Sequence, residues 1–200
     1  MKEIYHKIKE INQLLRESSI NFEEKFPYQE LMRKSSEILT CSIFIVNTNQ
    51  NFLGYAHSKK LYQEDATLQN FFQYQKFPEE IATKILNDYE RIENVPITQS
   101  LLSSVKELSL KFSNDILSFF PIEKNHLSLG TLFILSDRPL SEEEVILVDL
   151  LATFIGNEMA YLIREDLEKE RRNESFLSLI QSLSRSELED FKNIIEKIKS

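Results

Sequence analysis

Length, composition and charge already exclude several classes of protein. The chain has 200 residues, of which 42% are hydrophobic and 28% are charged, as in folded globular proteins rather than disordered or disulfide-stabilised ones. Its 24 basic and 32 acidic residues give a net charge of -8, which is a poor match for the phosphate backbone of DNA. Cys41 is the only cysteine, which excludes an intramolecular disulfide and favours a reducing, cytoplasmic compartment.

The sequence has no signal typical of export or of membrane insertion. Residues 1–7 alternate in charge and lack the apolar run of a signal peptide. The most apolar stretch, residues 145–155, is interrupted by Asp149. We therefore expect neither secretion nor a membrane span.

The first part of the chain predicts two helices and a β-hairpin. Apolar residues recur at helical spacing over residues 2–17, and a second helix is expected over residues 28–39. A β-branched and aromatic segment at residues 42–47 precedes polar turn residues and a second extended segment at residues 52–56. We expect both helices to cover one side of the sheet that this hairpin begins.

The middle of the chain predicts two short helices and an ambiguous segment. The helices span residues 66–75 and 79–89, and they are separated by Phe77-Pro78, where proline suits the first turn of a helix. Residues 94–114 mix apolar residues and serines without a consistent period. They are expected to form a partly ordered loop, which could serve as a lid.

Two more strands are predicted after that segment. They occupy residues 116–121 and 129–135, and a polar loop at residues 123–128 joins them. The resulting sheet is expected to be mostly antiparallel.

The last quarter of the chain begins with a long helix. Ser141 is followed three residues later by Glu144, which is the spacing of a capping box, and apolar periodicity then continues to Ile163. The mixed-charge residues 164–172 indicate a solvated extension of the helix, so we place a domain boundary near Tyr161.

Two features of this helical region carry predictions of their own. A glycine inside a helix costs about 1 kcal/mol relative to alanine, so Gly156 predicts a close approach between the helix and the sheet. A final helix is expected from Ser184, with one apolar face that should pack on another domain or a second subunit. That face contains Leu188, Phe191, Ile194, Ile195 and Ile198.

Motifs typical of catalysis, metal binding or nucleotide binding are missing. The only glycines are Gly54, Gly130 and Gly156, which excludes a P-loop and a GxGxxG turn. The only histidines are His6, His57 and His126, and their spacing matches neither a zinc motif nor a nucleophile elbow. We interpret the carboxylate runs at residues 142–144 and 165–170 as solvated helix charges, and we expect neither a metal site nor an enzyme.

A cluster of aromatic residues is the stronger functional signal. Phe71, Phe72, Tyr74 and Phe77 lie close together in the sequence, next to the ambiguous segment, and could line a concave apolar pocket. Such a cluster is also ordinary content of a protein core. Both interpretations stay open on these residues alone.

Several stretches resemble the CodY family of transcription regulators, in the same order along the chain. They are Ile43-Phe44-Ile45-Val46, Leu53-Gly54-Tyr55, Lys76-Phe77-Pro78-Glu79-Glu80, Asn94-Val95-Pro96, Leu129-Gly130-Thr131-Leu132, Ala152-Thr153-Phe154-Ile155-Gly156 and Leu183-Ser184-Arg185-Ser186-Glu187-Leu188-Glu189. The match covers essentially the whole chain and includes every glycine.

The resemblance implies a fold and a regulatory role. It implies an α/β (α+β) fold, with a GAF-like antiparallel sheet flanked by helices in residues 1–161 and a long linker helix plus a short terminal helix in residues 162–200. It also implies a dimeric pleiotropic repressor that senses branched-chain amino acids, notably isoleucine, and responds to GTP. In the family a winged helix after the linker binds DNA, and since this chain ends at Ser200 we assign no DNA contact within it.

The resemblance further implies a ligand site. The family's amino-acid pocket uses a phenylalanine on the first strand, an Arg-Met pair and a further residue on the helix after Leu-Gly-Tyr, and the Phe-Pro and tyrosine of the next helix. The matching positions here are Phe44, Thr67, Leu68, Phe71, Phe77, Pro78 and Ile81. Equal loop length adds Ser104, Val105 and Lys106 from the loop over the ligand.

One departure from the family bears directly on the ligand. Thr67 stands where the family has the arginine that pairs with the ligand's carboxylate, and threonine cannot supply that charge. Lys106 is the candidate replacement, and an exposed loop lysine is the alternative. Two hypotheses follow: an effector-responsive regulator that binds a small apolar molecule, and a ligand-free dimerisation or interaction module. An empty pocket favours the first, and a pocket filled by its own side chains favours the second.

Overall fold

The computed structural model describes residues 2–88 and 91–182, with side-chain burial for residues 5–85 and 91–175. The helices are α1 (Lys2–Glu17), α2 (Gln29–Leu39), α3 (Lys60–Gln63), α4 (Ala66–Tyr74), α5 (Glu79–Asp88), α6 (Lys106–Lys111) and α7 (Glu142–Ser182). The strands are β1 (Ser42–Asn47), β2 (Phe52–Ala56), β3 (Ile92–Pro96), β4 (Ile116–Lys124) and β5 (Leu127–Ser136). The predicted α/β fold, with an antiparallel sheet flanked by helices and a long helix after it, is confirmed.

The strands form one five-stranded sheet in the order β2-β1-β5-β4-β3. Every pairing is antiparallel, which confirms the expectation of a mostly antiparallel sheet. β1 and β5 are buried along nearly their whole length, since each has a neighbour on both sides. The edges of the sheet are β2 and β3.

The two faces of the sheet bury different sets of side chains, and aromatic rings are more numerous on one of them. Alternate residues of a strand point to opposite faces, so Ile43 and Ile45 share one face of β1 while Phe44 and Val46 share the other. The aliphatic face is covered by α2 and by the part of α7 that extends to Asn157. The aromatic face is covered by α4, α5 and α6.

Glycine allows the close approach between the helices and the aliphatic face. A Cβ atom at Gly156 in α7 would lie 2.7 Å from the carbonyl oxygen of Glu123 in β4. At Gly54 in β2 it would lie 2.9 Å from the backbone of Tyr28, the residue before α2. The predicted reason for Gly156, a close approach of helix and sheet, is confirmed.

The start of α7 forms the predicted capping box. Ser141 Oγ accepts from the backbone N–H of Glu144 at 3.2 Å, and a Glu144 carboxylate oxygen accepts from the backbone N–H of Ser141 at 3.0 Å. The same carboxylate accepts two hydrogen bonds from Arg138 at 2.6 and 2.7 Å and one from Lys7 in α1 at 2.9 Å. Glu144 therefore joins α1, α7 and the loop after β5.

The expectation of a partly ordered loop over residues 94–114 is wrong. This segment contains the end of β3, two short 3-10 helices at Ile97–Gln99 and Leu101–Ser104, and α6. Asn94 has a φ of 56° and interrupts the pairing of β3 with β4, while its side-chain amide exchanges two hydrogen bonds with the backbone of Leu140. These elements are too short to show a periodic pattern of apolar residues in the sequence, and tertiary contacts order them.

The predicted polar loop at residues 123–128 is also too long. β4 continues to Lys124 and β5 begins at Leu127, so that only Asn125 and His126 form the connection. Both have positive φ values, 52° and 64°, as a two-residue hairpin turn matching the strand twist requires. The ends of both strands contain polar residues, so the sequence predicted them as part of the loop.

α7 belongs to two compact units of the chain. One unit extends to Asn157, and the other begins at Glu158. Residues Glu142–Ser175 are long and apolar enough to cross a membrane by length and composition. In the first unit, however, Leu147, Val148 and Leu151 are buried, as in the core helix of a globular domain. The helix predicted from Ser184, with its apolar face, lies outside the described residues.

Candidate functional site

The aromatic face of the sheet carries a buried cluster of rings, which we call the aromatic cluster. Phe44 of β1 lies at its centre and stacks on Phe133 of β5, with ring centroids 4.6 Å apart. Phe72 and Phe77 approach the Phe44 ring to 5.3 and 6.4 Å. The full set of rings in the cluster is Phe44, Phe52, Phe71, Phe72, Phe77, Phe112, Phe119 and Phe133.

Local structure explains why α4 contributes so many of these rings. Asp65 begins the helix, and one of its carboxylate oxygens accepts from the backbone N–H of Thr67 at 2.9 Å and of Leu68 at 3.1 Å. Residues three and four positions apart share a helix face, so Leu68, Phe71 and Phe72 all turn towards the sheet. This cap therefore sets the direction of the helix face that closes the cluster.

The connection between α4 and α5 is tied to the hairpin. The backbone N–H of Phe77 donates to the carbonyl of Gln50, in the β1–β2 turn, at 2.9 Å. The carbonyl of Pro78 accepts from the N–H groups of Ile81 and Ala82 at 3.1 and 3.0 Å, which starts α5. These contacts place Phe77 and Ile81 over the sheet.

Most of the predicted site residues come together in this cluster. Those that are buried within it are Phe44, Leu68, Phe71, Phe77, Ile81 and Val105. Pro78 is half-buried at the edge. Thr67, Ser104 and Lys106 are exposed on the surface and are not members of the cluster. The expected neighbourhood thus forms, whereas the expected polar partners for a ligand do not lie in it.

The aromatic cluster is closely packed among the described residues. The cavity beside Phe77 and Phe133 has a volume of about 10 Å³. That space is close to the size of one water molecule, whereas small-molecule pockets in proteins usually measure roughly 300 Å³ or more. Any ligand in this region would have to displace side chains or lift the covering helices.

An ion pair links two of the helices α4, α5 and α6, which together form the cover of the aromatic cluster. Lys111 at the end of α6 donates to the Asp65 carboxylate at 2.5 Å, and this hydrogen bond is the largest reason that the pKa of Asp65 lies below its usual value. Because Asp65 also caps α4, the pair links the start of α4 to the end of α6. The covering helices are thus held together by a contact at the protein surface.

His57 is not among the site residues that the sequence predicts. It follows β2, is only 7% exposed, and its ring lies 5.5 Å from Phe72 and 5.8 Å from Phe112. Burial lowers the pKa of His57 to about 4, which keeps the imidazole neutral at pH 7. One signal was present in the sequence: His57 lies two residues after Tyr55 and so continues the same face of the strand.

A polar groove of about 350 Å³ runs along the outer edge of β2 and reaches His57. Its walls are formed by α2 and by glutamines of α3 and α4, among them Gln63, Gln69 and Gln73. Gln29 of α2 covers the free strand edge, since its amide donates to the carbonyl of Tyr55 at 2.8 Å and accepts from the N–H at 3.2 Å. This edge is therefore closed to a further strand but open to a small molecule.

Metal or thiol chemistry finds no support in the described residues. No group of three or more histidine, cysteine or acidic side chains lies close enough to hold a metal ion within that part of the chain. Cys41 is buried, and burial raises the pKa of its thiol to about 12. A thiol with that pKa is not a nucleophile at neutral pH.

Comparison with known families and structures assigns the fold. The family model of the CodY GAF-like domain matches residues 3–182. The chain belongs to the CodY GAF-like domain family. The resemblance stated from its sequence motifs is therefore confirmed, and membership makes this CodY-type chain a regulatory domain of the ligand-binding GAF class.

Two solved structures show the same fold. The cofactor-binding GAF domain of the nutrient sensor CodY from Clostridium difficile is 20% identical with a TM-score of 0.53, and the match covers 78% of this chain and 97% of that one. The GAF domain of nlh2 from A. aeolicus in an inactive state is 14% identical with a TM-score of 0.53, covering 80% of this chain and 96% of that one. At these identities the likeness concerns the fold of the CodY-type domain alone.

Proposed function

We propose that this CodY-type domain is the effector-responsive part of a cytoplasmic transcription regulator, a pleiotropic repressor that acts as a homodimer. The observation that carries the proposal is the convergence of Phe44, Phe71 and Phe77 under a cover of short helices. Such a cover can open without unfolding the sheet, since its elements are short and few contacts hold its edge. DNA binding would belong to a C-terminal winged helix, and we propose no enzymatic activity.

The lining of the cluster favours an apolar effector. Its members are apolar, and the positions that the family resemblance assigns to polar contacts, Thr67 and Lys106, are exposed outside it. The side chain of isoleucine, leucine or valine suits such a lining, but the carboxylate would need a partner. An ion buried without a partner costs several kcal/mol.

Effector binding would require a second conformation of the cover. The filled cluster represents a closed state, and a ligand that enters it must bind the open state better. The link between Asp65 and Lys111 would be broken or rearranged in that opening. In this proposal the change in the cover is what the linker helix transmits to the DNA-binding domain.

A second candidate function is favoured by the filled cluster itself. A domain that has lost its effector would keep the aromatic residues as core and act as a ligand-free dimerisation or interaction module. The small cavity beside Phe77 and the exposed side chain of Thr67 both fit that alternative.

Calorimetric titration separates the two functions. Isoleucine, leucine, valine and, in a separate series, GTP are titrated into the native chain and into Thr67→Arg, which restores the guanidinium that the family resemblance implies. Thr153→Arg, which changes an exposed threonine of α7, is the matched control for the added charge. We expect an arginine at position 67 to increase the affinity for branched-chain amino acids because it supplies a partner for the carboxylate.

The outcomes differ clearly between the candidates. Binding of any of these effectors by the native chain supports the sensor and leads to mutation of Lys106 as the next possible anchor. Binding only by Thr67→Arg means that the domain has dropped or changed its ligand. No binding by any variant, together with a stable dimer, supports the interaction module.

A further inference from the structure

His57 has unused hydrogen-bonding capacity inside the domain. Its side chain is buried, and neither Nδ1 nor Nε2 has a hydrogen-bond partner among the described residues. Buried polar atoms in native proteins are nearly always hydrogen-bonded, so an unpartnered one needs an explanation such as a bound molecule. The position of the ring indicates which molecule that is.

The imidazole separates the polar groove from the aromatic cluster. It lines the groove along β2, while its ring also lies near Phe72 and Phe112 inside the cluster. The hydrogen bond from Gln73 to the hydroxyl of Tyr55 connects α4 to β2 beside it and is long, at 3.4 Å. A ligand that enters from the groove would therefore meet His57 first and the aromatic rings next.

The hydrogen-bonding pattern of the ring selects the chemistry of the ligand. A neutral imidazole offers one donor nitrogen and one acceptor nitrogen. A carboxamide or a hydroxyl group can both donate and accept, whereas a carboxylate only accepts. The imidazole is thus better matched by an uncharged polar group than by an anion.

Most charges around the imidazole are already paired, and burial raises the pKa of the Asp115 carboxyl, which lies near Lys59 and Tyr62. Tyr55 and Tyr62 contribute uncharged rings next to it. The charged pairs nearest to the ring and the groove are Asp65 with Lys111, Lys59 with Asp137, and Arg33 with Glu30 and Glu37. A charged ligand would have to compete with these pairs, but an uncharged one would not.

We propose that His57 is the polar anchor of the effector site and that the effector has a small apolar body and an uncharged carboxamide or hydroxyl group. The proposal rests on the proposed function, since it places the effector's apolar body at the aromatic cluster. In this arrangement the polar group hydrogen-bonds to the imidazole and the apolar body packs against Phe72 and Phe112. It also explains how a domain with threonine at position 67 can bind an effector without an arginine.

The test uses two probes of the same shape and different charge. The chain is titrated with 4-methylpentanamide and with 4-methylpentanoate at pH 7, and ring signals of labelled histidines are followed by NMR. The exposed His6 and His126 serve as internal references in the same spectra. We expect the amide to shift the His57 signals and to bind at least roughly tenfold more tightly than the carboxylate.

Two variants separate a binding role from a structural one. His57→Phe keeps an aromatic ring in the cluster and removes both nitrogens, and His6→Phe is the matched control on α1. We expect His57→Phe to fold with unchanged or higher thermal stability and to lose roughly tenfold in amide affinity. If His57 only supported the fold, its replacement would instead lower the thermal stability of the domain.

The results that would overturn the proposal are distinct from those that would overturn the proposed function. Tighter binding of the carboxylate, or amide binding that leaves the His57 signals unchanged and survives His57→Phe, refutes the anchor and keeps the sensor. No binding of either probe, of branched-chain amino acids or of GTP removes both.

Discussion

The two faces of the sheet differ in how they are held. On the aliphatic face, α2 and α7 approach the strands so closely that only glycine fits at Gly54 and Gly156, and Glu144 joins α1, the start of α7 and the loop after β5. On the aromatic face, short helices cover a cluster of rings beside His57, whose ring nitrogens have no hydrogen-bond partner among the described residues. Closely packed backbones resist rearrangement, whereas rings under short helices can repack. The aliphatic face is therefore the scaffold, and the aromatic face is the part suited to change with a ligand.

The largest expected difference between the faces is in their response to acid. The pKa of His57 is about 4 in the folded domain and roughly 6.5 in the unfolded chain, so the unfolded chain binds more protons between these values. Stability is then fully present above pH 6.5 and is lost as pH falls towards 4, by on the order of 3 kcal/mol in total. Urea unfolding of the native chain and of His57→Phe across this range measures the effect.

His57→Phe should remove most of the slope of the unfolding free energy against pH between pH 6.5 and 4. His6→Phe, at an exposed position, should leave it in place. The pKa of Glu144 is about 2, so its own contribution is lost mainly below pH 4.5 and is separable. A slope that is the same in His57→Phe and in the native chain would show that the imidazole is not buried neutral.

On the scaffold face, Glu144→Gln is expected to destabilise the domain by about 2 kcal/mol, because the amide cannot replace the ionic bonds to Arg138 and Lys7. The amide oxygen can still accept from Ser141, so the helix start should survive. Glu143→Gln, at the exposed neighbouring position, is the control and should change the unfolding free energy little. Equal stability of both variants would mean that the network around Glu144 contributes nothing.

Gly156→Ala should lower stability by roughly 1–2 kcal/mol, even though alanine favours helices by about 1 kcal/mol. The added Cβ would lie 2.7 Å from the carbonyl oxygen of Glu123, and that backbone would have to move. Asn157→Ala at the exposed next position is the control for helix propensity. Thermal unfolding that shows Gly156→Ala to be the more stable protein would contradict the close approach.

The smallest effect on stability is expected from Lys111→Gln, at about 0.5 kcal/mol, because the ion pair with Asp65 is partly exposed. Its local effect should be larger, since α6 loses its link to α4. Hydrogen exchange should become faster in α6 and in the 3-10 helices before it, but not in α7. If the exchange rates of α6 are the same in Lys111→Gln and in the native chain, the ion pair does not hold α6 in place.

Much of the architecture could be predicted because it depends on local patterns. The capping box of Ser141 and Glu144 and the alternation of β1 are readable from a few neighbouring residues, and both are present in the structure. The segment at residues 94–114 could not be predicted, because its order depends on contacts such as that of Asn94 with Leu140, which is 46 positions away in the sequence. Short elements held by distant partners leave no period to detect.

The candidate site divides in the same way. Its apolar members were predictable, since Phe44, Leu68 and Phe77 are buried wherever a sheet and an amphipathic helix meet. His57 was not, because nothing in its neighbours along the chain shows whether an imidazole will be solvated or enclosed. Its neutral state follows from the rings of Phe72 and Phe112, which come from two other helical segments.

The sequence by itself determined the antiparallel sheet, the long helix after it and the CodY relationship, and it has threonine at position 67, where the resemblance implies an arginine. Each of these is a property of residue type or of local spacing, which the chain carries before it folds. Only the tertiary structure decided that the aromatic cluster is filled and that His57 lies between it and a polar groove. Burial and the absence of a hydrogen-bond partner depend on residues far apart in the chain, so they exist only after packing has brought those residues together.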